Sequence, residues 1–124
     1  MSNIAEKDHL LRKYVDNTLR AGMKRLIVLH SIKKHRTYPY ALLKVLKKSD
    51  HIVIRKITKS EIYNILNSLE KKGLVKGELK RVGQKMQKMY HITPSGNAVL
   101  LETKGIIVKY LHELKILIAD EFNE

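Results

Sequence analysis

The segment from Thr58 to Gly96 restricts the fold of this chain more than any other. Thr58 and Glu61 make a Thr-x-x-Glu capping box: the hydroxyl accepts from the amide three residues on, and the glutamate reaches back to the threonine amide. The box opens a helix whose Ile62, Ile65, Leu66 and Leu69 share one face. Gly73 can adopt the left-handed conformation that closes a helix. Leu74 to Val82 and Met86 to Ile92 then read as two strands, with Gly83-Gln84-Lys85 at the turn. Thr93 caps a last helix, and Pro94 suits its first turn, where no amide donor is required.

The rest of the chain has to pack around this helix and hairpin. Ala5 to Asp16 is patterned as a helix, with Leu11, Tyr14, Val15 and Leu19 on one side, and Gly22 weakens its continuation. A second helical run carries Leu26, Ile27, Leu29, His30 and Ile32 as far as Lys34. Thr37 is expected to cap a third helix opened by Tyr38-Pro39-Tyr40, with Leu42, Leu43, Val45 and Leu46 toward the core and Ser49-Asp50 at its end. The β-branched run from His51 to Ile54 favours a small strand or extended connector. The expected fold is mainly α with a small β-hairpin: residues 1–19 an N-terminal helix, 20–96 the central domain, and 97–124 a C-terminal helix.

That last helix carries two heptad-spaced series, Leu100, Ile107 and Leu114, then Leu111 and Ile118, broadened by Ile106, Tyr110 and Leu117. A chain of 124 residues has too little core to cover so wide a stripe. Burial against a second copy is the economical expectation, with Leu100, Ile107, Leu111, Leu114 and Ile118 as the dimerisation residues. Packing on the chain's own first helix is the alternative.

The net charge of +13 is unevenly placed. Residues 20–96 hold 19 basic and four acidic side chains, a balance of +15, whereas 1–19 are neutral and 97–124 carry −2. A polyanion relieves such self-repulsion, and nucleic acid is the leading partner because phosphate contacts release condensed counterions. A lysine-rich surface serving only solubility would not concentrate its charge in this way. The absence of cysteine excludes disulfides, thiolate catalysis and Cys-ligated zinc. The N-terminus is polar and no apolar stretch is long enough for a bilayer, so a soluble cytoplasmic protein is expected.

With the aliphatic face of the Thr58 helix turned inward, Lys59, Ser60, Tyr63, Asn64, Asn67 and Lys71 face outward. A helix fits the major groove, and Asn can both donate to and accept from adenine. The hairpin sets Lys76, Lys80, Arg81, Lys85 and Lys88 against Glu78 alone. Lysine also blunts exposed strand edges, but five cations exceed that need. A helix with a cationic arm is the layout of a winged helix that reads DNA, with Lys59, Ser60, Tyr63, Asn64, Asn67, Lys71, Lys80, Arg81, Lys85 and Lys88 as its DNA-binding residues. Six scattered histidines show no metal-ligand spacing, so no metal or cofactor is expected. Phosphate loop, nucleophile elbow and paired carboxylates are absent outside the acidic C-terminus, where Asp120, Glu121 and Glu124 read as a solvated tail, so catalysis has no support. Tyr14, Tyr38, Tyr40 and Tyr110 read as amphipathic core residues rather than a ligand pocket, and no small-molecule effector can be named.

The run Ile57-Thr-Lys-Ser-Glu-Ile-Tyr63-Asn-Ile-Leu66-Asn-Ser-Leu69-Glu-Lys-Lys-Gly73-Leu74-Val75 resembles the recognition-helix signature of PadR-like transcriptional regulators. Met89-Tyr90-His-Ile92-Thr93-Pro-Ser-Gly96 is similar to their second wing strand and the start of their last helix, and Tyr40-Ala-Leu-Leu-Lys-Val-Leu46 to their second helix. The resemblance implies a homodimeric winged helix-turn-helix repressor with the C-terminal helix as dimerisation arm. It also implies that Tyr63, Lys85 and Lys88 touch the DNA backbone. Lys59-Ser60 stands where the family has Pro-Gly, and the wing lacks the Gly-Gly-Arg form, so the MarR-like regulators stay open. So do a nucleoid-type or RNA-binding protein acting through charge, and an adaptor whose winged helix no longer binds DNA.

Overall fold

The computed structural model describes residues 2–122, with side chains for residues 9–120. In order these form α1 (Ser2–Lys34), α2 (Pro39–Lys47), α3 (Ile52–Arg55), α4 (Lys59–Lys71), β1 (Val75–Val82), β2 (Lys85–Ile92) and α5 (Pro94–Phe122). The two expected N-terminal helices are one helix of 33 residues. A glycine inside a helix costs about 1 kcal/mol relative to alanine, too little for Gly22 to break so long a run.

One core joins the last two turns of α1 (Val28, Leu29, Ile32) to α2 (Leu42, Leu43, Leu46) and α4 (Ile62, Leu66, Leu69). Ile57, Val75, Tyr90 and Leu100 complete it. Each buried aliphatic side chain contributes about 1.5–3 kcal/mol, and the i, i+4, i+7 spacing on α4 sets which of its faces is turned in.

Val45, expected toward the core, is exposed, and the expected α2 cap and short strand fail as well. Thr37 does not cap α2. The residue before a proline is driven out of the helical region, so the extended cap falls on Tyr38, whose side chain makes no capping bond. Thr37 lies one residue too early and forms a bridge with β2: its amide donates to the Tyr90 carbonyl at 3.2 Å, and the Tyr90 amide donates back at 2.9 Å. His51 to Ile54 is not a strand either. Arg55 and Lys56 donate to the carbonyls of His51 and Ile52, closing the single turn of α3. Four helical residues rise about 6 Å against about 13 Å when extended. The shorter path brings Ile57 into the core beside α4 despite the β-branched composition.

β1 and β2 pair antiparallel from Val75↔Ile92 to Val82↔Lys85. The loop is therefore Gly83-Gln84 alone, with Gly83 at φ +65°, and Lys85 belongs to β2 rather than to the turn. Helices α2 to α4 with this hairpin make the winged helix-turn-helix anticipated from the sequence.

Thr93 caps α5 as expected: its hydroxyl accepts from the Gly96 amide at 3.0 Å and donates to the Gly73 carbonyl at 2.7 Å. Leu100 differs from expectation. It is fully buried in the core of its own domain and has no surface to offer a second chain. Beyond it α5 leaves the domain with Ile107, Leu111, Leu114 and Ile118 exposed, together with Ile106, Val108, Tyr110, Ile116 and Leu117. On α1, Leu10, Leu11, Tyr14, Val15, Leu19 and Met23 are exposed as well. The chain's own first helix thus does not cover the stripe. Asp120 is exposed, as read from the sequence, while the side chains of Glu121 and Glu124 lie outside the described residues. Among the described residues no helix is long and apolar enough to cross a membrane.

Candidate nucleic-acid interface

The capping box at the head of α4 is complete. Thr58 Oγ1 accepts from the Glu61 amide at 3.1 Å, and the Thr58 amide donates to Glu61 Oε1 at 3.2 Å. With its aliphatic face buried, α4 presents three outer stripes. Ser60, Asn67 and Lys71 form an exposed crest. Lys59, Tyr63 and Glu70 lie toward the hairpin. Glu61 and Asn64 lie toward α1, beside Lys24 and Arg25.

On the hairpin side a cleft of about 430 Å³ opens between α2, α4 and β2. Pro39 and Tyr40 line one wall, Lys59 and Tyr63 the floor, and Lys85 to Lys88 the other wall. No acidic side chain lines it. The Lys59 ammonium lies 5.8 Å from the centre of the Tyr63 ring, and that of Lys44 lies 4.7 Å from the Tyr40 ring. Exposed ammonium groups and phenols on one surface provide charge and neutral donors for a phosphodiester, the combination that fixes a protein's register on a duplex.

Strand alternation sorts the hairpin cations. Lys80 and Lys85 stand on one face, Arg81 and Lys88 on the other, and all four are exposed. Lys80 has Glu78 at 3.9 Å, a distance at which an exposed pair adds little. Lys88 differs, because its ammonium donates to Glu70 Oε1 on α4 at 2.7 Å. The Lys88 hydrogen bond, reinforced by one from the Gly77 amide, holds the Glu70 carboxyl below its ordinary range. Glu70 in turn raises the Lys88 ammonium. At the other end of α4 the Lys24 ammonium bonds Glu61 Oε2 and, with Thr58, holds that carboxyl down. Burial pushes the Tyr90 phenol up, so it stays neutral under the wing.

All ten residues proposed from the sequence for DNA contact are therefore exposed, but they do not make one patch. Lys59, Tyr63, Lys85 and Lys88 meet in the cleft; Ser60, Asn67 and Lys71 share the crest; Asn64 turns toward α1; Lys80 and Arg81 occupy the hairpin. Tyr40 and Lys44 were missed, because the tyrosine beside Pro39 reads as an apolar helix residue. Glu70 was missed too, although it is one of only four acids in the 77 residues from 20 to 96, which was a usable signal.

A model of the PadR-like family of transcriptional regulators matches residues 28–102, from the last turns of α1 to the start of α5. The chain belongs to the PadR-like family. Its class is that of DNA-binding transcriptional regulators, and the cleft and crest described above lie within the matched residues. Several solved structures resemble this PadR-like chain. A PadR family transcriptional regulator from Eggerthella lenta is 26% identical, covers 93% of this chain and 96% of its own, and superposes with a TM-score of 0.74. A PadR-like transcriptional regulator from Bacillus cereus is 28% identical over 75% of this chain and 91% of its own, with a TM-score of 0.61. A PadR-like transcription factor from Bacteroides fragilis, 20% identical over 84% of this chain and 98% of its own, shares the fold with a TM-score of 0.71. A comparison with curated proteins finds no relative.

Proposed function

We propose that this PadR-like protein is a homodimeric, sequence-specific DNA-binding repressor of the cytoplasm. The observation that carries the reading is the acid-free cleft of Tyr40, Lys59, Tyr63, Lys85 and Lys88 beside the polar crest of α4. The cleft would hold one phosphate strand while Ser60, Asn67 and Lys71 on the crest reach the major groove, and Lys80 and Arg81 would follow the backbone. Residues 97–124, with the first helix from residues 1–19, would form the dimer arm through Ile107, Leu111, Leu114 and Ile118. The exposed apolar side chains along α1 and α5 support that arm, since water-exposed stripes of this width mark an interface. A two-fold axis would then place two recognition helices in successive major grooves about 34 Å apart, and occupancy of a promoter would repress.

Gel shifts at several salt concentrations test this. A site-specific regulator keeps its preference for one duplex over random DNA as salt rises. Lys59→Glu with Lys85→Glu should weaken binding to every duplex and flatten the slope of log K against log salt by about 2, since each lost phosphate contact removes about 0.9. Equal affinity for all duplexes at every salt would favour a charge-driven nucleoid-type protein instead, and a preference for RNA over DNA an RNA-binding one.

A further inference from the structure

Every acid in a surface that binds a polyanion works against that binding, unless it is engaged elsewhere. Glu70 borders this surface, on the hairpin side of α4 and one turn beyond Leu66, against Lys88 of the cleft wall. Its two carboxylate oxygens have different partners. Oε1 accepts from the Lys88 ammonium of β2 at 2.7 Å, and Oε2 accepts from the Gly77 amide of β1 at 2.8 Å. The carboxylate thus spans both strands of the wing from the recognition helix. The sequence makes room for it, because a Cβ on Gly77 would fall 2.8 Å from Glu70 Oε2, 3.1 Å from Tyr90 Cε1 and 3.2 Å from Lys88 Cδ. An ordinary surface ion pair needs neither a backbone donor nor a missing side chain.

We propose that Glu70 is a positioning and specificity residue: it clamps the wing to the recognition helix and withholds the Lys88 charge from indiscriminate phosphate contact. This inference rests on the DNA-reading function proposed above. Two consequences follow from the geometry. First, the clamp sets the distance from Tyr63 and Lys59 on α4 to Lys85 and Lys88 on β2, the floor and one wall of the cleft. A fixed cleft admits only duplexes whose backbone path fits it, which is readout of DNA shape. Second, a cation already paired releases fewer counterions on meeting DNA, so non-specific affinity is held down while specific affinity keeps the contacts of the crest. The carboxylate remains ionised throughout the neutral range because its partners favour the charged form.

Glu70→Gln is the direct test, measured as binding of a selected site and of random duplex across salt, with thermal melts of each variant as a control on folding. Freed Lys88 should steepen the salt slope for random DNA by about 0.9, and the ratio of specific to random affinity should fall tenfold or more. Glu70→Gln with Lys88→Gln should restore the slope but not the ratio, separating released charge from a loosened wing. Gly77→Ala offers a second route, since the flexible carboxylate end is the group that must yield; it should lower the ratio as Glu70→Gln does. In the free protein, amide exchange at Gly77 should quicken at least tenfold in Glu70→Ala, which removes both acceptor oxygens, a readout that needs no DNA. Folded Glu70→Gln and Gly77→Ala proteins with slope and ratio within twofold of the parent would overturn the proposal. So would a Gly77 amide that exchanges at the parent rate in Glu70→Ala. If the parent itself prefers no sequence, the DNA-reading function fails, while amide exchange still decides whether the clamp exists.

Discussion

Among the described residues, His30, Glu61 and Glu70 make the stability of the fold depend on pH in acid. Burial first, then the Lys104, Lys34 and Lys33 charges, hold His30 below its ordinary 6.5, and its Nδ1 accepts from Lys104 at 2.9 Å in the neutral form. The unfolded chain therefore binds this proton first, and stability falls as pH drops below 6.5 toward the folded value. Glu61 and Glu70 are held below 4.5, so the stability they contribute is complete above that pH and is lost as pH falls through their folded values. Thermal melts from pH 8 to pH 3 should show two successive declines. His30→Gln should remove the upper one and leave the lower, and an unchanged upper decline would assign it to another group. The pairs behind these shifts were invisible in the sequence: Lys24 and Glu61 lie 37 residues apart, Glu70 and Lys88 18. Nothing local marks such partners, whereas the capping box of Thr58 and Glu61, three residues apart, was fully legible.

Among the elements, α5 meets the exit of α4 and the wing at close range. The first turn of α5 rests on the carbonyl of Leu74 so closely that a Cβ on Gly96 would lie 1.9 Å from that oxygen. The clash involves backbone on both sides, so Gly96→Ala should cost about 3 kcal/mol, near the upper end for overpacking. Denaturant unfolding reads the loss, and a change below about 0.5 kcal/mol, the level of a neutral surface substitution, would contradict it. Here the sequence was informative where a local rule applies: Thr93-Pro94 started the helix and Gly73 ended the previous one, at φ +73°. It misled where tertiary packing overrides propensity. His51 to Ile54 coils into a turn so that Ile57 can be buried, and Pro39 shifts the α2 cap from Thr37 to Tyr38. Leu100 matched the heptad series by spacing alone, and spacing cannot say which copy's core a residue enters.

In the whole molecule, a small cationic domain carries two long helices whose apolar side chains face water. Along α5 the stretch from Leu100 to Asp120 runs about 30 Å at 1.5 Å per residue, which is ample for a two-chain seam. Leu111→Asp with Leu114→Asp should convert a dimer to a monomer in sedimentation and weaken binding to a two-part site at least tenfold. The domain's own melt should change little, because neither residue belongs to its core. The basic balance of residues 20–96 and the wide C-terminal stripe were both legible beforehand; the clamp of Glu70 on the wing was not.

In the function proposed above, two copies of this domain read one DNA site through α4 and the wing. Selection of bound sequences from a random duplex pool tests it most directly. The bound pool should hold one enriched motif made of two inverted half-sites with centres about 10 base pairs apart, the spacing of successive major grooves. A pool that shows no enrichment, or a single unpaired half-site, would contradict it.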